Sequence, residues 1–359
     1  MKKKILISTG GSGGHVVPAT ILYDHLLTTA DVVISTDKRG YKYLHKKFEN
    51  IEIIDTPKLK NIFLLPLNLI IILFLTLKSF FLLKKKKIDY LFSTGGYMSL
   101  PLIFAGKILN SKIYLLEPNL VLGRANKLFL SSCEKIFCYS DQVKKFPSTY
   151  KNKLVIINPL VRKEYYQSEI NKIDNNKINL LIVGGSQGAR IFDNNLKKSI
   201  VNLSKLFSIK IIQQTNEKNI NNLRDFYSKN NIENFIFSYD YNFFDRISEA
   251  DICITRAGAT TLAELSILNK PFIAIPLPFS KDNHQLENAN FYLNKNCCWV
   301  VEQNVFEVKI EDLLKEIFNK KSYLLEKKDN LKKLNYQNTW INVNQKILSN
   351  INENWIRKN

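Results

Sequence analysis

The sequence predicts an α/β protein built from two Rossmann-like domains that face each other across a cleft. Two stretches carry this prediction, because each places a short apolar strand directly before a glycine turn and a helix. The first occupies residues 4–14, and the second occupies residues 179–190, where the letters G-G-S-Q-G-A-R follow the strand. A chain of 359 residues also exceeds the length at which a single hydrophobic core is usual.

The charge and composition of the chain indicate which kinds of molecule it binds. Hydrophobic residues make up 45% of the chain, which is ordinary for a globular protein, whereas the formal net charge of +20 is large. Such an excess favours a polyanionic partner: a nucleic acid, an anionic lipid surface or a phosphate-rich substrate. The five cysteines lack metal-ligand spacing and are typical of a protein in a reducing cytosol. The N-terminal apolar run is too short for a signal peptide, so we expect no export.

The first half predicts a parallel sheet whose strands end in glycines and polar residues. Residues 10–15, G-G-S-G-G-H, follow the opening strand, and glycines there let the main chain approach a ligand closely. The spacing is neither that of a dinucleotide-binding turn nor that of a P-loop. His15 is therefore either a structural histidine or a catalytic one at the ligand-binding edge of the sheet. Strands are predicted at residues 4–8, 31–35, 51–55, 89–93, 112–116, 136–138 and 154–157.

Residues 64–83 form a mostly apolar segment that ends in four consecutive lysines. The segment is nearly long enough to span a membrane, but it is interrupted by Pro66, Asn68, Thr76, Lys78 and Ser79. A buried core helix is one interpretation, and a spanning helix is another. An interfacial helix with a lysine collar, lying on an anionic leaflet, fits the composition best. The side chains expected to contact lipid are Leu69, Ile72, Leu73, Lys84, Lys85, Lys86 and Lys87.

The second half repeats the pattern of the first after a polar linker at residues 164–177. Strands are predicted at residues 179–183, 209–213, 235–238, 252–255 and 271–275, and the chain beyond Lys309 is predicted to be helical. The expected domains are residues 1–163 and 164–340. A C-terminal helix at residues 341–359 is expected to return to the first domain.

Residues 255–265, T-R-A-G-A-T-T-L-A-E-L, join a buried strand to the N-terminus of a helix. This arrangement offers backbone N–H groups and the positive end of a helix dipole to an anion. The helix is expected to begin at Thr260 or Thr261, with Glu264 at the capping-box position. The alternative to an anion site makes Glu264 only a cap and Arg256 only a surface charge.

Six motifs occur in a fixed order between residues 4 and 300. They are G-G-S-G-G-H-V-V-P-A, S-T-G-G-Y, N-P-L-V-R, G-G-S-Q-G-A-R, T-R-A-G-A-T-T-L-A-E and K-D-N-H-Q-L-E-N-A. Together they resemble the motifs of the MurG family, the N-acetylglucosaminyltransferases that make lipid II in peptidoglycan synthesis. The resemblance implies a GT-B fold and an inverting transfer that needs neither a metal nor a cofactor.

The resemblance also implies the substrates and the cellular location. The implied donor is UDP-N-acetylglucosamine, held mainly by the second domain, and the implied acceptor is lipid I, undecaprenyl-pyrophosphoryl-MurNAc-pentapeptide. The enzyme would act as a peripheral protein on the cytoplasmic face of the cell membrane. Further implied partners are the anionic lipid surface of that membrane and other cell-wall or division proteins, with no nucleic acid among them.

Individual residues take roles by the same resemblance. His15 is the implied catalytic base, and Glu117 is the alternative. Ser186 would contact phosphate, Glu264 the ribose diol and Gln285 the sugar hydroxyls. The full implied donor site comprises Ser12, Gly13, Gly14, Asn119, Arg162, Ser186, Asp240, Arg256, Ala259, Thr260, Thr261, Leu262, Ala263, Glu264 and Gln285.

Three positions depart from the family pattern. His284 precedes Gln285 where two adjacent glutamines are common, which puts one sugar contact in doubt. The letters L-E-P-N replace H-E-Q-N at residues 116–119, which puts the shape of that loop in doubt. Asp240 replaces an apolar residue and is expected to contact uracil through its backbone. Arg162, which fits the family pattern, is expected on the nucleotide side of the site.

Other functions stay open at this point. A diacylglycerol glycosyltransferase would share the fold, the UDP site and a membrane patch, but the G-G-S-G-G-H and N-P-L-V-R motifs argue against it. A non-catalytic sugar-nucleotide-binding subunit would be expected to lack one glycine-loop half, and both halves are present here. A nucleic-acid-binding protein is suggested by charge alone and ranks last.

Overall fold

A computed structural model describes residues 2–45, 47–48, 50–57, 62–166, 177–185, 190–238, 240 and 242–351. The chain divides into two compact units: unit 1 is Met1–Leu160 with Thr339–Asn359, and unit 2 is Val161–Asn338. Each unit contains one parallel sheet with helices in its connections. The predicted α/β class with two Rossmann-like domains is therefore confirmed.

Unit 1 is built around a seven-stranded parallel sheet in the order β3-β2-β1-β4-β5-β6-β7. Its elements up to residue 160 are β1 (Lys3–Ser8), α1 (Gly13–Leu26), β2 (Ala30–Thr36), α2 (Lys38–Leu44), β3 (Ile51–Ile53), α3 (Leu65–Lys86), β4 (Tyr90–Ser93), α4 (Leu100–Ile108), β5 (Lys112–Glu117), α5 (Arg124–Phe129), β6 (Lys135–Cys138) and β7 (Leu154–Ile156).

The sheet of unit 1 is apolar on both faces because helices cover both. Within β1, Ile5 and Ile7 pack into the core on one side, whereas Leu6 packs into the core on the other. Continuous burial of this kind is typical of parallel sheets and explains why these strands appear in the sequence as unbroken apolar runs.

Unit 2 is built around a six-stranded parallel sheet in the order β10-β9-β8-β11-β12-β13. Its elements are β8 (Ile178–Val183), α6 (Arg190–Asn195), α7 (Lys197–Ser204), β9 (Ile209–Gln214), α8 (Ile220–Lys229), β10 (Glu233–Phe237), α9 (Phe243–Glu249), β11 (Ile252–Thr255), α10 (Ala259–Ile267), β12 (Phe272–Ala274), α11 (His284–Leu293), β13 (Cys298–Val300), α12 (Phe306–Asn319) and α13 (Lys321–Leu334).

The last described helix, α14 (Trp340–Ile351), belongs to unit 1. Val343, Ile347 and Leu348 are buried in the same core as Ile5 and Ile7 of β1. Trp340 stacks on the buried His25 of α1, with ring centroids 3.6 Å apart. The chain therefore returns to its first unit after completing the second.

Some elements differ from the sequence-based expectation. The strand β13 was not predicted, because Cys298–Val300 is short, and it pairs only with β12 along one edge of the sheet. The strand expected at residues 51–55 ends at Ile53. Most of the linker expected at residues 164–177 lies outside the described residues, although Lys163–Tyr166 forms a short 3-10 turn.

The helix α3 confirms that the apolar segment is helical. Several of its polar residues, however, face the protein interior, and most of its apolar residues face outward. Asn68, Thr76 and Ser79 face the interior of unit 1 and are buried, and the Thr76 hydroxyl donates to the Ile72 carbonyl at 2.8 Å. Ile72 is also buried, so it belongs to the core rather than to a lipid-facing surface. The apolar side chains of the outer face are the exposed ones: Leu67, Leu69, Ile70, Leu73, Phe74, Leu77 and Phe81.

The four consecutive lysines at residues 84–87 lie partly in α3 and partly at its C-terminal end. Lys84, Lys85 and Lys86 form the last turn of α3, and Lys87 ends the helix in a left-handed conformation. Lys86 is half-buried and pairs with Glu52 at 2.8 Å, whereas Lys84, Lys85 and Lys87 are exposed. By length and composition α3 could cross a membrane.

Candidate functional site

The glycine turns lie where each sheet reverses its strand order. In unit 1 the order changes direction between β1 and β4, and in unit 2 it changes between β8 and β11. Open α/β sheets bind ligands in the crevice beyond the carboxyl ends of such strand pairs. The predicted ligand-binding turns at residues 10–15 and 94–97 come just after β1 and β4. The predicted turn at residues 184–190 begins directly after β8, although residues 186–189 lie outside the described residues, and the stretch at residues 255–265 begins at the last residue of β11.

The turn after β1 depends on glycine. Gly11 has a φ of 80°, and a Cβ at this position would lie 2.7 Å from Cε of Met98. The helix α1 then begins at Gly13, with Ser12 as its N-cap residue and no capping bond from the Ser12 side chain. Ser12, Gly13 and Gly14 therefore stand at the N-terminus of a 14-residue helix, where N–H groups and the dipole favour an anion.

His15 is half-buried in the first turn of α1. Its Nδ1 lies 2.7 Å from the carbonyl oxygen of Thr94, in the turn after β4. A carbonyl oxygen can only accept, so Nδ1 carries the proton, and the neutral imidazole has its lone pair on Nε2. Gly95 and Gly96 lie against the ring, since a Cβ on them would lie 3.5 Å and 3.7 Å from its carbon atoms. The two glycine turns thus fix the tautomer and the position of His15.

Glu117 lies at the end of β5 and is buried. Its Oε1 accepts from the backbone N and from Nδ2 of Asn119 at 3.2 Å and 3.1 Å. Its Oε2 accepts from the backbone N of Gly123 at 2.8 Å and from Nδ2 of Asn126 at 3.0 Å. Burial raises the pKa of the Glu117 carboxyl, and the bond from Gly123 opposes this shift. The carboxyl therefore organises the loop that carries Asn119.

Asn126 connects this loop to the second glycine turn. Its Nδ2 also donates to the Leu116 carbonyl at 3.1 Å, and a Cβ on Gly95 would lie 3.2 Å from the same nitrogen. Unit 1 therefore brings His15, Ser12–Gly14 and Asn119 to one edge of the sheet, as expected from their positions after β1 and β5.

In unit 2 the helix α10 begins earlier than expected. It starts at Ala259 with Gly258 as its N-cap, so neither Thr260 nor Thr261 is the capping residue, and glycine has no side chain that could form a capping bond. Residues 259–261 form the first turn of the helix, and Ala263 and Glu264 are buried further along it. The capping-box interpretation of Glu264 is wrong, because Glu264 lies in the second turn and its side chain points to a different partner.

That partner is Arg162. Nη2 of Arg162 lies 3.0 Å from Oε1 of Glu264 and also donates to the Tyr165 hydroxyl at 2.8 Å. The Glu264 carboxylate is 5% exposed, whereas the Arg162 side chain is 29% exposed. Burial raises the pKa of Glu264, and the Arg162 charge opposes this shift. Two of the predicted donor residues therefore form one ion pair, although 102 positions separate them.

Arg256 is not a surface charge. It is half-buried, and its guanidinium donates to the Ile275 carbonyl at 3.1 Å and to Oε1 of Gln303 at 2.6 Å. These bonds tie the turn after β11 to the residue that follows β12 and to the loop between β13 and α12. Arg256 therefore shapes the turn that leads into α10.

Gln285 and Asp240, two further predicted donor residues, each bond to groups close to them in the chain. Oε1 of Gln285 accepts from the backbone N of Leu277 at 2.9 Å. Asp240 accepts from the backbone N of Asn242 at 2.8 Å and from Nε of Arg246 at 2.8 Å. Ser186 lies outside the described residues, so its expected phosphate contact stays a prediction.

Two residues of unit 1 were not anticipated from the sequence. Asp37 and Arg39 connect the two glycine turns of unit 1, and the only signal for them is that Asp37 directly follows the buried strand β2. Within the described part of the chain, no group of three or more His, Cys, Asp or Glu side chains is arranged to hold a metal ion.

The chain is similar to known proteins along its whole length. Residues 5–138 match the glycosyltransferase family 28 N-terminal domain, and residues 179–339 match the glycosyltransferase family 28 C-terminal domain. A transferase of Pelagibacter ubique, named UDP-N-acetylglucosamine–N-acetylmuramyl-(pentapeptide) pyrophosphoryl-undecaprenol N-acetylglucosamine transferase, is 51% identical over 99% of this chain and 100% of its own. A protein of Rickettsia felis with the same name is 34% identical, over 92% of this chain and 95% of its own.

A solved structure supports the fold. The crystal structure of MurG from Acinetobacter baumannii superimposes with a TM-score of 0.75 at 21% identity, covering 93% of this chain and 95% of that one. Together with the two family domains, this confirms the GT-B fold class. The chain belongs to glycosyltransferase family 28 and, within it, to the MurG family.

Proposed function

We propose that this protein transfers N-acetylglucosamine from UDP-N-acetylglucosamine to the C4 hydroxyl of the muramyl sugar of lipid I, giving lipid II for peptidoglycan synthesis. The observation that carries the proposal is the whole-length relationship to the transferase of Pelagibacter ubique, which includes both domains of the family. The site geometry supports the proposal, because His15 Nδ1 is held by the Thr94 carbonyl in unit 1, and each unit has a helix N-terminus of the kind that favours an anion.

The proposed chemistry is a single displacement at the anomeric carbon of the donor sugar. The C4 oxygen of the acceptor forms the new bond to C1 while His15 Nε2 takes the hydroxyl proton. The bond from C1 to the diphosphate oxygen breaks, and UDP leaves with the electron pair. His15 suits this role because the Thr94 carbonyl holds the proton on Nδ1. Glu117 is the weaker candidate, because its two oxygens already accept four hydrogen bonds.

The donor is proposed to bind to unit 2. The first turn of α10 would hold the phosphates and the sugar with its backbone N–H groups, because its N-cap residue, Gly258, has no side chain to bond to them. The Glu264 carboxylate would accept from the ribose diol while its bond to Arg162 holds it in place. Ser186, Gln285 and the backbone of Asp240 are proposed for phosphate, sugar and uracil respectively.

We further propose that α3 attaches the protein to the cytoplasmic face of the membrane without crossing it. Leu73 and Phe74 are 64% and 66% exposed. The helix α4 packs against α3 and also exposes an apolar side chain, Ile108, which is 64% exposed. Lys84, Lys85 and Lys87 edge this surface with positive charge. Attachment in the interface would bring the enzyme to an acceptor whose lipid tail stays in the bilayer.

A transfer assay tests the proposed function. Purified protein is incubated with UDP-N-acetylglucosamine labelled in the sugar and a short-chain lipid I analogue. We expect the label to move into a lipid-linked disaccharide, and we expect no lipid-linked label when the analogue is omitted. A parallel reaction offers diacylglycerol as the acceptor. If the label enters a diacylglycerol glycoside and none enters the lipid I analogue, the result would favour a diacylglycerol glycosyltransferase.

A further inference from the structure

We propose that Asp37 and Arg39 are positioning residues for His15, and that they act by tying together the two glycine turns that hold its imidazole. This inference rests on the proposed function for its kinetic consequence. Its structural consequence, the tautomer and orientation of His15, can be measured independently of catalysis.

Asp37 anchors the first glycine turn. Its carboxylate is fully buried at the N-terminus of α2, and Oδ1 accepts from the backbone N of Gly11 and of Gly40, each at 2.9 Å. Gly11 lies four residues before His15 in the loop that leads into α1. A buried carboxylate that binds backbone N–H groups fixes the main chain of that loop, because losing either bond would leave a buried polar group unsatisfied.

Arg39 carries the connection to the second glycine turn. Its Nε donates to Oδ2 of Asp37 at 2.6 Å, and its Nη1 donates to the hydroxyl of Tyr97 at 2.5 Å. Its guanidinium also lies 5.2 Å from the centre of the Tyr97 ring. Tyr97 directly follows Gly95 and Gly96, which lie against the His15 ring, and Thr94, whose carbonyl accepts from His15 Nδ1. The path from Asp37 to the carbonyl that sets the His15 tautomer is therefore continuous.

Close packing makes the arrangement sensitive to movement. A Cβ on Gly10 would lie 2.6 Å from Oδ1 of Asp37, and a Cβ on Gly40 would lie 2.8 Å from Cα of Gly10. Gly96 has a φ of 82° and packs against Met98, which also lies against Gly11. The two turns and the start of α2 thus share one contact region. Without the bonds from Arg39, we expect the turn at residues 94–97 to shift relative to the first turn.

The expected effect is on turnover rather than on donor binding. A base must lie within hydrogen-bond reach of the proton that it removes, and a displacement of about 1 Å can cost roughly 10²-fold in rate. The proposed donor contacts belong to unit 2, so the affinity for UDP should not change. This division between kcat and donor affinity would not follow from a general loss of stability.

Three variants separate the connection from the fold. Tyr97→Phe removes only the hydroxyl that accepts from Arg39. Arg39→Lys keeps a positive charge beside the buried Asp37 but cannot donate to Asp37 and Tyr97 with the planar geometry of guanidinium. The double variant completes a mutant cycle. Lys38→Gln is the matched control, because Lys38 is also on α2 but forms an exposed ion pair with Asp55 at 3.4 Å.

The experiment combines kinetics with nuclear magnetic resonance of protein labelled with ¹⁵N in its four histidines. The His15 signals are assigned by their absence in His15→Ala. We expect the wild type to show the Nδ1–H tautomer at His15, and Tyr97→Phe and Arg39→Lys to show a mixture of tautomers or a shifted ring. The kcat of each single variant should fall by about tenfold to 10²-fold, with unchanged UDP affinity. The double variant should be no slower than the slower single variant. The control Lys38→Gln should match the wild type.

Two results would overturn the inference. One is a wild-type His15 spectrum and wild-type kcat in both single variants. The other is a loss of kcat that is additive in the double variant with unchanged His15 signals. If the wild type transfers no sugar while the variants still change the His15 signals, the proposed function fails and the positioning of His15 stands.

Discussion

The Arg162 guanidinium and the Glu264 carboxylate form an ion pair, with Nη2 of Arg162 3.0 Å from Oε1 of Glu264. The pair joins the segment that opens unit 2 to the helix α10, and Tyr165 shares its hydroxyl with the same guanidinium. Glu264 is thus already held in a fixed orientation in the second turn of α10, the helix whose first turn we propose for the donor. An orientation fixed before binding reduces the entropy that a ligand must lose.

Glu264→Gln is expected to weaken the binding of UDP by roughly 1–3 kcal/mol, because a hydrogen bond to a charged acceptor is lost. The same change should lower the melting temperature, since Arg162 loses its charged partner. Calorimetric titration with UDP, well below the melting temperature, separates the two effects. Lys210→Gln is the control, because it removes another half-buried ion pair, Lys210 with Glu249 at 2.5 Å, away from the proposed site. Full UDP affinity in a destabilised Glu264→Gln protein would assign Glu264 a structural role only.

His15→Ala is expected to lower kcat by roughly 10²–10⁴-fold while the protein remains folded, because this is the range for loss of a general base. Turnover is measured at saturating lipid I analogue, so that a change in acceptor affinity does not contribute. His45→Ala is the matched control, since His45 is an exposed histidine that follows α2. Near-normal turnover of His15→Ala would exclude His15 as the base and leave Glu117 as the candidate.

The sequence was sufficient to predict the strands and glycine turns, because local patterns of residues determine them. Buried strands such as β1 and β11 are largely apolar runs, and the predicted glycine turns come just after β1, β4 and β8. It was insufficient where distant segments meet. The partner of Glu264 is 102 residues away, so the local S/T-x-x-E spacing suggested a helix cap instead. The contact of Asp37 with Gly11 depends on how β2 lies beside β1, which periodicity does not specify.

The orientation of α3 was the other property that the sequence did not determine. Its polar residues Asn68, Thr76 and Ser79 lie at helical spacing, but in the sequence alone they are simply interruptions of an apolar segment. In the structure they face the protein, and the apolar residues between them face outward. A hydrophobic pattern defines the faces of a helix, but only the neighbouring helices determine which face is covered.

The exposed face of α3 leads to a prediction about membrane binding. Replacing Leu73 and Phe74 with Gln should reduce flotation with vesicles of any composition, because apolar area for insertion is lost. Replacing Lys84, Lys85 and Lys87 with Gln should reduce flotation only with anionic vesicles at low salt, since each lysine contributes about 1 kcal/mol near such a surface.

Matched controls for these variants are available in unit 2. Val308 is 79% exposed on α12 and serves for the apolar change. Lys315, Lys332 and Lys333 are exposed on α12 and α13 and serve for the charge change. Undiminished flotation of both α3 variants, or an equal loss in the controls, would contradict attachment through α3. Cleavage by protease from both sides of a sealed vesicle would contradict the peripheral placement.

His25 leads to a prediction about stability and pH. Burial lowers its pKa to about 4, so the folded state holds it neutral between Trp340 and Asn344. The unfolded chain binds a proton with a pKa near 6.5, so stability is full above that pH and falls as the pH drops towards 4. The expected loss at pH 5 is about 2 kcal/mol in unit 1.

Urea unfolding at pH 7.5 and pH 5.0, followed by circular dichroism, checks this expectation. The comparison is with His25→Phe, which keeps an aromatic ring against Trp340 but cannot titrate. His25→Phe should lose less stability between the two pH values than the wild type does, whatever its absolute stability. Equal pH dependence in the two proteins would show that His25 does not control the acid sensitivity of unit 1.

Product analysis from the wild-type enzyme tests the proposed reaction most directly. Unlabelled UDP-N-acetylglucosamine and the lipid I analogue are incubated with the protein, and the lipid product is examined by mass spectrometry and by nuclear magnetic resonance. An inverting transfer to the C4 hydroxyl predicts one added N-acetylglucosamine in a β-1,4 linkage to the muramyl sugar. An α-linkage, attachment at another position, or release of free N-acetylglucosamine with an unchanged acceptor would contradict it.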